Sequence, residues 1–321
     1  SAVYVGLAAG PVLGGLLTHH FGWRSVFIFI AIWSLITSIT AILKLPPNSQ
    51  KSAESNLVKQ MDLTGSLLYT LATASLAFGL NEIPNLFAWV MVVVGVVLFT
   101  FFILYERHAR IPLLKPGLFH HNPNFLFSSL SALLNYGATF AVSFLFSIYL
   151  QQVKGYGADV SGIILITAPI MQAVLSPLAG RLSDKNSPFK MASMGMAVCG
   201  VALVMLLMVN EQTSLAYIIF SMAVIGSGFA IFSSPNMNAI MSGVPREDSG
   251  IAVGFVATMR NMGQLASMAV IGIIMSLNIG DDPITQTSPA EIVLITRLCM
   301  AVFIIVSAIG IFTSMQRGGK R

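Results

Sequence analysis

Arg260 lies deep inside an apolar run, ten residues after Gly250, with Asn261 and Gln264 just beyond it. At about 1.5 Å per residue it stands about 15 Å along a helix that starts near Gly250. A central arginine costs about 2.5–3.5 kcal/mol on membrane-insertion scales, so something must offset it. Either it faces a water-filled cavity or gating network, or it snorkels to the cytoplasmic interface. The amides of Asn261 and Gln264 favour the first. No other ionisable side chain is expected so far inside a span. The 12 acidic residues and the five histidines (His19, His20, His108, His120 and His121) fall in loops or at span ends. Proton exchange across a membrane needs a carboxylate or histidine at depth, and none is expected in this chain. His19-His20 and His120-His121 are expected on opposite membrane faces, so they cannot share an ion. Metal sites, cofactors and nucleophilic or hydrolytic chemistry are not expected, and the chain is not read as an enzyme.

The composition explains why charge is so scarce. Of 321 residues 55% are hydrophobic and 9% charged, and the mean hydropathy is +0.82. A soluble domain carries roughly a quarter charged residues, so this chain is an integral membrane protein. Cys199 and Cys299 lie in apolar runs and read as small core residues, not as a disulfide. The net charge of +5 fits anchoring on an anionic inner leaflet; nucleic acid is not an expected partner.

Ten apolar segments are long enough to cross a bilayer: approximately 1–17, 24–43, 63–82, 86–105, 124–150, 161–179, 189–209, 214–241, 250–277 and 290–314. They are continuous and do not alternate, so they read as helices. Lysine and arginine cluster after the even-numbered spans, whereas the opposite loops hold only Arg24 and Lys154. The positive-inside rule then places the ends of the even spans, and both termini, in the cytoplasm. The expected organisation is a pair of spans (1–44), a polar linker (45–62), a helical pair (63–105), a loop (106–123) and six spans (124–321). Asp159-Val160-Ser161-Gly162 and Asp248-Ser249-Gly250 open the sixth and ninth spans from opposite faces. Two readings fit: an inverted repeat of triplets, or two ordinary helix caps.

The first span reads GLAAGPVLGGLL from Gly6 to Leu17. Gly6, Gly10 and Gly14 share one helix face and permit close backbone approach; Pro11 bends the helix. This run, with Gly15, resembles the fifth-helix antiporter motif of major facilitator drug exporters. Trp23-Arg24-Ser25-Val26-Phe27 resembles the start of their sixth helix. Gly180-Arg181-Leu182-Ser183-Asp184-Lys185 resembles the superfamily's cytoplasmic loop motif in its second-half copy. Pro245 to Gly250 with Arg260-Asn261-Met262-Gly263 resembles the thirteenth-helix region of the fourteen-helix drug:proton antiporter branch, which an inserted helical pair such as 63–105 distinguishes.

The resemblance implies an all-α membrane protein with a major facilitator-type helical bundle: a partial N-terminal half lacking four helices, two linker helices and a complete six-helix C-terminal half. It implies secondary efflux of a lipophilic or cationic small molecule in exchange for protons, in a multi-pass cell-membrane protein, inactive as this chain alone. The alternative is a non-transporting structural or interaction module. Self-association through the exposed small-residue face is a further expectation. Arg181 and Asp184 are expected to join neighbouring helix ends in a tight cytoplasmic turn. Asn135, Tyr136, Thr139, Phe140, Gln172, Asn236 and Asn238 are expected either to line a permissive central cavity or to bond between helices.

The charge pattern makes loops 45–62, 106–123 and 180–190 cytoplasmic. Single cysteines placed in 106–123 should be protected in intact cells and react with an impermeant thiol reagent only after permeabilisation. Labelling from outside intact cells would contradict the topology.

Overall fold

A computed structural model describes residues 10, 13–18, 20–44, 62–82, 85–109, 122–245, 248–280, 284 and 287–316. Among these residues there are helices and no strands, and nine helical segments are long and apolar enough to cross a membrane. The helices are α1 (Arg24–Lys44), α2 (Leu63–Glu82), α3 (Leu86–Glu106), α4 (Pro123–Thr139), α5 (Val142–Gln152), α6 (Ala158–Leu165), α7 (Thr167–Lys185), α8 (Pro188–Leu207), α9 (Leu215–Met241), α10 (Ser249–Ile279) and α11 (Pro289–Met315). They match the second to tenth expected spans. The first lies largely outside the described residues, of which 13–18 are helical.

Two spans expected to be single helices are interrupted. The fifth breaks at residues 140–141 between α4 and α5, where the Ala141 amide donates to Ser267 Oγ on α10, 3.1 Å away. One turn earlier, Thr139 Oγ1 donates back to the Asn135 carbonyl, a bond that commonly bends membrane helices. The sixth breaks at Ile166 between α6 and α7. Pro169 has no N–H to offer the Leu165 carbonyl, so the ladder loses a rung there. The α7 helix then runs on to Lys185, beyond the expected end at 179. Asp248 occupies the N-cap of α10 without accepting a capping bond, and Asp159 lies in the first turn of α6 behind Gly157.

Glycines set the closest helix contacts, since packing in lipid depends on small residues. A Cβ at Gly195 on α8 would come within 2.8 Å of the Gly228 carbonyl oxygen on α9, and one at Gly228 within 2.7 Å of the Cys199 nitrogen. A Cβ at Gly226 would lie 2.8 Å from Ala168 Cα on α7, and one at Gly263 on α10 3.0 Å from the Gly137 nitrogen on α4. Helix α9 therefore touches α7, α8 and α4, while α11 closes the bundle against α8 and α4. Its buried core includes Phe146, Tyr149, Leu203, Met222, Met300 and Phe303. Cys199 and Cys299 are free and buried, as core residues should be.

Helices α2 and α3 form a hairpin of their own, with Gly79 against Val92 and Gly95 against Leu76. The Gly65 amide donates to Asp62 Oδ1 (2.8 Å) ahead of α2, and Tyr105 on α3 donates to the same carboxylate oxygen (3.2 Å). The hairpin leans on α10 through a Tyr69–Thr258 hydroxyl pair. Helix α1 buries none of its residues.

These contacts separate two kinds of glycine. Gly195→Ala should lower stability by about 1–3 kcal/mol through overpacking. Gly272→Ala, whose Cβ would meet nothing within 4 Å, should be neutral or stabilising by up to about 1 kcal/mol. Thermal unfolding in detergent measures both; a Gly195→Ala protein as stable as wild type would contradict the packing.

Candidate functional site

Four helices of the C-terminal bundle, α4, α7, α9 and α10, line a partly open cavity of about 520 Å³. Its lining mixes small residues, Ala132, Ser176, Gly180 and Ser234, with the larger Tyr136 and Arg260. Gly180 on α7 faces α9 so closely that a Cβ there would lie 3.1 Å from Ser234 Oγ. Pro177 and Pro235 sit inside α7 and α9, each following a serine, Ser176 and Ser234, that lines the same space.

Arg260 on α10 is the charged residue of the lining. Its guanidinium carbon lies 5.9 Å from the centroid of the Tyr136 ring on α4, within reach of a cation–π interaction. The Tyr136 ring meets Phe229 edge-on at 5.0 Å, and Phe229 meets Phe232 at 6.5 Å, so an aromatic row leads from the arginine to the α9 wall. Asn236 lines the cavity and donates from Nδ2 to the Ser128 carbonyl across to α4 (3.2 Å). The Ser176 side chain is 6% exposed, and its hydroxyl has no hydrogen-bond partner among the described residues.

Of the expected cavity residues, Tyr136, Asn236 and Arg260 are brought together here, with Gly180. The others lie elsewhere. Thr139 is buried and bonds within its own helix, Phe140 is exposed, and Asn135 is buried with neither amide atom partnered among the described residues. Gln172 and Gln264 are half-buried and Asn261 is exposed; none of these lines the cavity.

The segment Gly180–Lys185 is the last stretch of α7, not the turn expected from the sequence. Arg181, Asp184 and Lys185 are exposed. No ion pair or side-chain hydrogen bond of Arg181 or Asp184 occurs among the described residues, so the expected bridge between helix ends is not formed there. The tie is made by the residue between them: Asn238 Nδ2 donates to Ser183 Oγ (2.6 Å), joining α9 to α7.

Gly6 and Pro11 lie outside the described residues. A Cβ at Gly10 or Gly14 would meet nothing described within 4 Å, and one at Gly15 would lie 3.3 Å from the Ala158 oxygen. Arg297, which the sequence reading overlooked, is a second arginine inside a span. It sits eight residues into α11, and Nε donates to the Val209 carbonyl just beyond the end of α8 (2.9 Å). Its neighbours Lys154 and Tyr149 likewise donate to the carbonyls of Glu211 (2.5 Å) and Asn210 (2.6 Å). Serines 176, 233 and 234 were also missed; the Ser-Pro pairs at 176–177 and 234–235, within two apolar spans, were the available signal.

Residues 1–268 match the Major Facilitator Superfamily. The riboflavin transporter RibZ of Clostridioides difficile (strain 630) is 29% identical over 262 residues, 82% of this chain and 56% of RibZ. The multidrug resistance protein Stp of Mycobacterium tuberculosis is 26% identical over 279 residues, 85% of this chain and 50% of its own. The tetracenomycin C resistance and export protein of Streptomyces glaucescens is 27% identical over 282 residues, 85% of this chain and 51% of its own. The chain spans about half the length of these curated relatives.

The Asn238–Ser183 tie predicts measurable coupling. A double-mutant cycle of Asn238→Ala and Ser183→Ala, followed by thermal unfolding in detergent, should give about 0.6 kcal/mol or more. Effects that add to within about 0.3 kcal/mol would contradict the bond.

Proposed function

The chain belongs to the Major Facilitator Superfamily, and on that basis we propose that it forms part of a secondary active exporter for lipophilic small molecules. The exporter works by alternating access in exchange for protons, in the cell membrane. The observation that carries this reading is the cavity of about 520 Å³ between α4, α7, α9 and α10. Its size falls within the range of small-molecule sites, roughly 300–1,000 Å³, and its lining mixes aromatic, methionine and hydroxyl groups suited to varied ligands. Relatives whose names denote multidrug resistance and export of tetracenomycin C support efflux; one named for riboflavin transport keeps the substrate range open.

Alternating access requires two units moving about a shared site. The described residues supply one six-span unit, a hairpin and the single span α1, in a chain about half as long as its relatives. We assign the fourteen-helix drug:proton antiporter pattern to the complete exporter, with the α2–α3 hairpin as its inserted pair. Among the described residues every carboxylate and histidine lies at a helix end or between helices; the proton-exchanging group is assigned to a residue outside them. The 321 residues alone insert and hold the cavity without running the cycle. Their glycine face at Gly6, Gly10 and Gly14 packs against a further helix or a second copy, and Arg181, Asp184 and Lys185 meet a partner helix end during gating.

Liposomes with an imposed pH gradient test this with a lipophilic dye. The chain extended to the length of its relatives should move the dye in a gradient-dependent way, and the 321 residues alone should match empty liposomes. No movement by the extended chain would overturn the transport reading; movement by the 321 residues alone would overturn the need for a second unit.

A further inference from the structure

We infer that the cavity between α4, α7, α9 and α10 takes a ligand bearing an anionic group on an aromatic body, held by Arg260 and Ser176; the inference rests on the reading of this cavity as a transport site. The lining contains one guanidinium and no carboxylate. Arginine stays protonated at any physiological pH, so the cavity carries a fixed positive charge. A cationic ligand, one of the two kinds that the resemblance implies, would meet repulsion there. An anion would meet a planar fork of donors matched to carboxylate, sulfonate or phosphate oxygens.

The second observation is independent of the charge. Ser176 is 6% exposed, lines the cavity, and has a hydroxyl without a hydrogen-bond partner among the described residues. A buried hydroxyl left unpaired is costly, and a ligand acceptor in the cavity would complete it. The ligand's body follows from the opposite wall. Tyr136 presents its ring beneath Arg260 and lines the cavity, and Phe229 and Phe232 back that ring from α9. Ring stacking there leaves the ligand's charged end at the guanidinium.

Fluorescein and rhodamine 123 share a xanthene body and differ in charge, so they isolate the proposed selectivity. Anisotropy titrations with the 321-residue chain in zwitterionic nanodiscs should show tighter binding of fluorescein than of rhodamine 123. Arg260→Ala should weaken fluorescein by about 10- to 100-fold, the loss expected for a charge-assisted hydrogen bond. Arg260→Lys should retain the preference for fluorescein, and Ser176→Ala should weaken it about 5-fold. The wild-type comparison decides the matter even where Arg260→Ala does not fold. Rhodamine 123 bound as tightly as fluorescein, or a folded Arg260→Ala protein that binds fluorescein like wild type, would overturn the anion assignment and leave the transport reading standing. Binding of neither dye would overturn the cavity as a ligand site and the assignment with it. Arg260-dependent binding of fluorescein, with no gradient-driven movement by the extended chain, would uphold the assignment while removing the transport reading.

Discussion

Helices in a bilayer gain nothing from excluding water from one another, so they hold together where their backbones can touch. That constraint organises the C-terminal bundle. Gly195 and Gly228 let α8 and α9 meet, Gly226 admits the backbone of α7 at Ala168, and Gly263 and Gly137 bring α10 onto α4. Helix α9 lies at the centre of these contacts, and its position fixes where space is left over. Space remains where α7 and α9 carry Ser-Pro pairs and Gly180, because small side chains and proline-broken ladders leave both a gap and unsatisfied groups. The cavity is thus the complement of the glycine contacts, produced by the same helices a few residues further along.

Arg260 gives this cavity its character. Its insertion cost of about 2.5–3.5 kcal/mol is offset by an aromatic face, through Tyr136, and by its place on a partly open cavity. Arg297 solves the same problem differently. It donates to the Val209 carbonyl beyond the end of α8, where a cation also complements the negative end of the helix dipole. One arginine is engaged by backbone and holds a loop; the other faces a cavity and leaves donors for a ligand. The two arginines therefore differ in their partners: Arg297 binds a backbone carbonyl, and Arg260 lies against an aromatic ring at the cavity.

Spans and their order were legible because continuous apolar runs in a chain with few charges have one physical solution, a transmembrane helix. Arg260 was legible for the converse reason: a charge in such a run must have a use. The helix breaks at 140–141 and 166 were less so. The first depends on Ser267, distant in sequence, capturing the Ala141 amide, and no local pattern announces that. The extension of α7 through Lys185 was hidden because charged residues after an apolar run read equally as loop or as a protruding helix. Membership of the cavity was only partly readable. Asn135 and Tyr136 are neighbours on α4, yet one is buried behind the wall and the other lines the space; a helix turns about 100° per residue, and which face meets α9 is set by glycines far along the chain.

The central claim is that a water-accessible, positively charged cavity lies within this bundle. The direct measurement is thiol modification of Met237→Cys, a position that lines the cavity and is 38% exposed, with Cys199 and Cys299 replaced by serine. Rates with sulfonate and trimethylammonium methanethiosulfonate reagents, each divided by its rate with a free thiol, report the local potential. The account predicts that the normalised sulfonate rate is the larger, and that Arg260→Ala brings the two together. No modification, or a larger normalised rate for the cationic reagent, would contradict it.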